Sequence, residues 1–344
     1  MYIYEHKEWP NFIWDQIKIA DLLTEVRYLQ GRLLGRMDAL SFPLREEATL
    51  QIFTQDVLKT SEIEDEKPDP EQVRSAIAKR LGIDIDAMLP VNRDVEGIVE
   101  VMLDATRAYD KPLTEERLFR WHAALFPMRH TEGWRTEGGD QAGPACERLP
   151  NEMTRFIKWF NAPSKTDLVI KSALAYFGFV TIHPFDDGNG RMARALADMM
   201  LARAEKSSQR FYSLSGQIQR ERNAYDDVLE RCQKGSLNIT PWIEWFLHCL
   251  KRSIASSQET LQAVLTKSRF WNLHAGEAFN ERQQFIVNCL LDGLDGKLNS
   301  SRWATLAKCS QDTALRDIND LLGRKILVKE DAGGRSTGYQ ICLP

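Results

Sequence analysis

Residues 167–181, Asp-Leu-Val-Ile-Lys-Ser-Ala-Leu-Ala-Tyr-Phe-Gly-Phe-Val-Thr, are apolar almost all round. A helix that is apolar on every face has to be buried on every face. This stretch therefore predicts a central helix wrapped by other helices. The flanking sequence supplies them. Residues 12–40 set Ile13, Ile17, Leu22, Leu23, Val26, Leu29, Leu33 and Leu34 at helical spacing. Further helices are predicted over 46–63, 77–88, 95–108, 115–126 behind a Thr114 cap, 152–160, 191–204, 220–232 and 240–267. The last is entered by Thr240-Pro241 as cap and first turn. Asp65-Glu-Lys-Pro-Asp-Pro70 ends the second, because proline cannot extend a helix and disfavours helix in the residue before it. Residues 133–150, rich in Gly and Pro, predict a loop or short hairpin. Residues 279–291, 303–309 and 313–324 predict three short helices. Residues 326–330 and 338–342 then alternate like strands around Asp331-Ala-Gly-Gly-Arg335. Three helices followed by a hairpin is the layout of a winged helix. The fold class is mostly α.

A chain of 344 residues suits two or three modules. A formal net charge of -4 gives no global pull toward nucleic acid or an anionic membrane. No apolar run is long enough to span a bilayer, and the first ten residues lack the layout of a signal peptide. Cys146, Cys232, Cys249, Cys289, Cys309 and Cys342 form no Cys-x-x-Cys pair. They predict buried thiols in a reducing cytoplasm rather than a zinc site. His6, His122, His130, His248 and His274 show no ligand spacing and are read as packing or surface residues.

The remaining histidine opens the segment that carries chemistry, His183-Pro-Phe-Asp-Asp-Gly-Asn-Gly-Arg-Met-Ala-Arg194. Two glycines flank an asparagine at the entry to a helix. Such a turn can aim backbone N–H groups at one point, and the helix N-terminus adds partial positive charge. Arg191 and Arg194, three apart, share a helix face, and guanidinium forks match phosphate oxygens. Asp187 is a hard oxygen ligand suited to a Mg²⁺ that keeps most of its waters. His183 is the side chain best poised to accept a proton near neutral pH. These are parts for attack on a nucleotide phosphate.

The whole string resembles the signature of the Fic family, His-Pro-Phe-x-Asp/Glu-Gly-Asn-Gly-Arg-x-x-Arg, with every fixed position filled. Gly133-Trp-Arg135, Glu152-Met153 and Asn238-Ile-Thr-Pro-Trp242 are further points of similarity. The resemblance implies a Fic helical core and a protein adenylyltransferase, which moves AMP from ATP to a Ser, Thr or Tyr hydroxyl of a target protein or of itself. His183 would take the hydroxyl proton. Gly188, Asn189 and Gly190 would line the anion hole, with Arg191 in support. Asp187 would hold Mg²⁺, Arg194 would reach the γ-phosphate, Phe185 would pack under the loop and Tyr225 would lie near the adenine. The implied division is 1–90 as an N-terminal helical domain, 91–268 as the catalytic core and 275–344 as the winged helix. A homodimer is implied as well.

Upstream, Thr60-Ser-Glu-Ile-Glu64-Asp65 resembles the family's inhibitory motif, Ser/Thr-x-x-x-Glu-Gly/Asn, with Asp65 in the last place. The implication is that Glu64 pairs with Arg194, takes the cation the γ-phosphate needs and repels that phosphate. Family members carry a β-hairpin flap at 133–150 that docks the target as an added strand. Here few β-branched residues are present to build one. From Phe279 to Pro344 nine Lys and Arg stand against eight Asp and Glu, a thin electrostatic footprint for DNA. On the predicted 313–324 helix, Arg316 is set against Asp317 and Asp320. A protein-interaction or packing role ranks ahead of DNA contact. Three alternatives stay open: removal of AMP by the same site, transfer of phosphate or another nucleotide moiety, and a transcriptional regulator whose core senses nucleotide.

Overall fold

The structure is a computed structural model that describes all residues except 86–87, 129–132, 137–142, 292, 295, 331–336 and 343–344. Asp15 opens α1 (Gln16–Asp38) by accepting the amide hydrogens of Ile17 and Lys18. The helix starts later than the apolar spacing predicts. Ile13 is extended instead, its amide donating to Leu237 O and its carbonyl accepting from Ile239. α2 (Phe42–Ile63) starts before the predicted residue 46, with Pro43 in its first turn. The largest departure is α3 (Pro70–Leu81), predicted over 77–88. Asp69 caps it through the amides of Glu71 and Gln72, and Pro70 stands at its first position. Gly82, at φ 73°, ends it. Pro70, part of the stretch that the sequence reads as a stop for α2, thus starts the next helix.

α4 (Arg93–Arg107) and α5 (Glu115–Leu125) are capped by Asn92 and Thr114. α6 (Leu149–Asn161) leads to α7 (Leu168–Ile182), in which every residue from Val169 onward is buried. Its one charge, Lys171, spends its donors on Phe160 O and Ala162 O at the C-terminal end of α6. Burial holds that amine down at about 8. α8 (Asn189–Glu205) packs along α7. α9 (Leu214–Arg220), which no sequence pattern announces, packs on α2. α10 (Arg222–Gln233) and α11 (Thr240–Leu273) follow.

The chain divides into two compact units, Met1–Gln258 and Glu259–Pro344. In the second, α12 (Glu281–Leu291), α13 (Ser300–Leu306) and α14 (Gln311–Gly323) precede an antiparallel pair, β1 (Leu327–Lys329) and β2 (Tyr339–Ile341). Tyr339 N also donates to Leu298 O. The core holds Ile286, Trp303, Ile318, Leu321 and Leu327. The turn at 331–335 lies outside the described residues. Asp317 corrects the sequence-based picture of α14. It is not beside Arg316 at the surface but buried, held by both Nε and Nη2 of Arg282. A carboxylate taken out of water needs such a fork.

All six cysteines are free thiols, yet only Cys232 and Cys249 are buried, and Cys342 is exposed. Among the described residues no helix is long and apolar enough to cross a membrane. His130 lies outside the described residues.

Candidate active site

His183 is the residue that ends α7. It adopts a left-handed conformation, φ 52° and ψ 58°, and its amide donates to Phe179 O at 3.0 Å. That conformation costs a non-glycine residue about 1–2 kcal/mol, so neighbours must hold it. Burial is the largest influence on its imidazole and lowers its proton affinity. A bond to the Val180 carbonyl opposes this, Arg135 adds to it, and Asp187 and Asp186 oppose it in turn. The net direction is down, so the ring is neutral and able to accept a proton at neutral pH.

The loop after His183 is braced from inside. Asn189 does not aim its side chain outward; Nδ2 donates to Phe185 O at 2.7 Å and Oδ1 accepts from Phe185 N at 3.0 Å. Phe185 is buried beneath the loop and stacks on His122, with ring centroids 4.2 Å apart. His122 Nε2 also meets Asp187 O at 3.2 Å, which gives a residue read from sequence as packing a grip on the loop. Gly188 caps α8 at φ 75°, and a Cβ there would stand 2.6 Å from Phe126 Cε2. Only glycine meets both demands. Asp187 is exposed, and its Oδ1 accepts the Gly188 amide at 2.7 Å.

Arg194 is buried, and the last turn of α2 and its cap residue meet it. Nε donates to Thr60 Oγ1 at 2.7 Å, and Nη2 donates to Thr60 O at 3.2 Å and to Glu64 Oε1 at 2.7 Å. Burial alone would lower its proton affinity, but Glu64 and the buried Tyr176 hydroxyl outweigh it and raise it. The Glu64 carboxylate also lies over the first turn of α8. A Cβ on Gly190 would be 2.8 Å from Glu64 Oε1. Thr60 and Glu64 reach the same arginine because they are one helical turn apart.

The end of α2 explains the motif's last position. Glu66 N donates to Ser61 O and Asp65 N to Glu62 O, the two bonds of a Schellman motif. Its left-handed residue is Asp65, at φ 60°. Glycine and asparagine suit this place, and aspartate tolerates it. Replacing Asp65 by Gly is expected to stabilise the fold by roughly 0.5–1 kcal/mol, read as a raised melting temperature. An unchanged or lowered value would show that the left-handed turn is not strained.

The same turn delivers a contact absent from the sequence-based picture. Glu66 accepts from Arg191 Nη1 at 2.8 and 3.0 Å, and the Arg191 guanidinium lies over the Phe126 ring. Arg191 is therefore engaged by a second ion pair, to Glu66. No local signal marks it, since Glu66 and Arg191 are 125 residues apart. A cavity of about 430 Å³ opens beside this pair, lined by Lys67, Asn92 and Phe126 among others. A larger one, about 600 Å³, lies between Trp9–Trp14 and α6–α7. The loop chemistry, rather than the larger volume, marks the site. Tyr225 lies within electrostatic reach of Arg194. It is buried among Trp242, Trp245 and Tyr176, to whose hydroxyl it is bonded at 3.1 Å. Of the 133–150 segment, residues 137–142 fall outside the described residues, and none of the rest is strand.

Asp187 is a single hard ligand beside the cradle. Among the described residues no group of three or more His, Cys, Asp or Glu could hold a metal ion. The donor set thus fits an ion that draws most of its ligands from phosphate and water, as Mg²⁺ does.

Residues 112–201 match the profile described as Fic/DOC family, and residues 2–83 match one described as a domain of unknown function, DUF4172. Thr60 to Asp65 falls in the second match and the signature loop in the first. A protein adenylyltransferase Fic of Nematostella vectensis is 33% identical over 117 residues, covering 33% of this chain and 26% of that protein. One of Culex quinquefasciatus is 26% identical over 252 residues, covering 69% and 48%. The chain thus spans under half the length of these curated relatives. A solved Fic family protein from Desulfovibrio desulfuricans G20 aligns over 94% of this chain and 95% of its own, with TM-score 0.54 and 19% identity. Fic-1 of C. elegans (residues 134–508) aligns over 72% and 74%, with TM-score 0.52 and 18% identity. These two structures share the fold. By this match residues 112–201 form a Fic domain.

Proposed function

We propose that this chain transfers AMP from ATP to a Ser, Thr or Tyr hydroxyl of a target protein, and of itself, and that α2 holds it nearly off at rest. The single observation that carries this is the Glu64 carboxylate seated between Gly190 and Arg194, where a phosphate would go, beside a neutral His183. Once Glu64 leaves, Arg194 is free to take the γ-phosphate, and the first-turn amides of α8 face the phosphates. The target oxygen then attacks the α-phosphorus. Its proton passes to the ring nitrogen of His183 not engaged with Val180. The bond from the α-phosphorus to the bridging oxygen breaks, and pyrophosphate departs. Asp187 would hold Mg²⁺, which when bound offsets phosphate charge. Arg191, once released by Glu66, turns to the same anion.

ATP labelled in the α- or the γ-phosphate, given to the Glu64→Gly variant with Mg²⁺, tests the reaction. Protein-bound label is expected from the α-position. Label from the γ-position on protein would overturn AMP transfer. The second reading, removal of AMP, is favoured by the 30% exposure of the Glu64 side chain, which leaves it room to hold a water. Loss of AMP from a modified protein on wild-type enzyme, absent with Glu64→Gly, would establish it.

By role we divide the chain as 1–90, 91–268 and 275–344, with residues 275–344 a winged helix serving protein contact. DNA contact ranks lower, because the burial of Asp317 frees only Arg316 on α14 while Asp312 and Asp320 stay exposed. We place the protein in the cytoplasm as a homodimer, on resemblance alone.

A further inference from the structure

Arg135 sits where the two described stems of the 133–146 segment meet the catalytic loop. Its Nε donates to His183 O at 2.7 Å, and its own amide donates to Pro184 O at 2.9 Å. Nη2 reaches Pro144 O at 2.5 Å and Nη1 meets Cys146 Sγ at 3.1 Å. One guanidinium thereby ties residues 135, 144 and 146 to the carbonyl of the left-handed His183. Gly143 closes the same junction. A Cβ there would stand 2.8 Å from Arg135 Nη2, 3.1 Å from Ile182 O and 3.2 Å from His183 Cβ. Planar forks bonded at several points fix orientation better than a flexible ammonium.

We propose that Arg135 is a positioning residue for the catalytic histidine, holding the His183 backbone in its left-handed conformation and coupling it to both stems of the segment where a target would dock. The carbonyl of a left-handed residue points off the helix axis, so the helix itself does not hold it. Arg135 supplies the missing donor, from a residue 48 positions away. Lysine could not replace it, having no fork to span His183 O and Pro144 O together. Gly143 is needed because any side chain would wedge Arg135 from the loop.

The role rests on the AMP-transfer reading, and its test separates the two. Arg135→Ala, Arg135→Lys and Gly143→Ala would be made in the Glu64→Gly background. Misplacing a reacting group by about 1 Å costs on the order of a hundredfold. Each variant is therefore expected to lose about tenfold to a hundredfold in kcat while KM for ATP changes less than about threefold. Low-millimolar guanidinium should restore part of the loss in Arg135→Ala and none in Gly143→Ala. Independently of activity, protein labelled with ¹³C at histidine carbonyls is read by NMR, with His183 assigned through His183→Gln. Arg135→Ala should shift or broaden the His183 signal, and guanidinium should return it. An unmoved His183 signal overturns the proposal whatever the rates. So does a fall of kcat, ATP affinity and melting temperature together without rescue, which marks a mere structural prop. If the Glu64→Gly parent itself transfers no AMP, the functional assignment fails, and the NMR result still decides the role of Arg135.

Discussion

Glu64→Gly is expected to raise the initial rate of AMP transfer by roughly 5- to 150-fold, the range set by releasing about 1–3 kcal/mol of coupling. The Glu64 contact is part-exposed, so solvent screening discounts it toward the lower half of that range. Arg194, by contrast, is 3% exposed, so whatever carboxylate or phosphate it meets is felt strongly. Removing Glu64 leaves that buried cation in want of an anion, and ATP supplies one. ATP affinity measured by calorimetry should rise with the rate. Glu66→Gln frees Arg191 but leaves Arg194 held, so alone it should give a few-fold gain at most. The double variant is the more telling measurement. Both glutamates ride on one Schellman turn, so their effects should fall short of additive. A Glu64→Gly protein that binds ATP no more tightly than wild type, and transfers no faster, would remove the brake from this account.

Local chemistry was the legible part of the sequence. The all-apolar stretch became a helix buried on every side. Two glycines around Asn189 became a helix entry, and Phe185 lies under it as expected. Thr60 and Glu64 could be paired with Arg194 only through the family resemblance, because 130 residues separate Glu64 from Arg194. What stayed hidden has one cause: it depends on partners distant in sequence. Glu66 looked like one more acid in a solvated run. His122 looked like core. Arg135 stood out as a similarity with no stated task. α3 is displaced because the sequence pattern presents Pro70 as an ending, when the Asp69 beside it makes a starting pair. Ile13 left its predicted helix because Leu237 and Ile239 offered backbone bonds. Asn189 shows the opposite limit. Its place in the motif suggested an anion ligand, yet its side chain is spent on Phe185, so what it can offer a phosphate is its backbone amide.

His183→Ala in the Glu64→Gly background is expected to abolish transfer, with a fall of about a hundredfold to ten-thousandfold for loss of a general base. ATP affinity should stay near that of the parent, because the ring is not among the groups facing the phosphates. The backbone complicates this variant, since alanine adopts φ 52° less readily than the loop requires. His183→Asn is therefore the better control. Asparagine accepts the left-handed conformation, keeps a polar side chain and cannot take a proton at neutral pH. If His183 serves as the base, both variants are inactive, and His183→Asn still binds ATP and melts near the parent temperature. If instead its service is to shape the loop, Asn should restore what Ala loses. Retention of even a tenth of the parent rate by His183→Asn would mean that the proton leaves by another route, and Asp186, the other acidic side chain facing the imidazole beside Asp187, would be the next residue to remove.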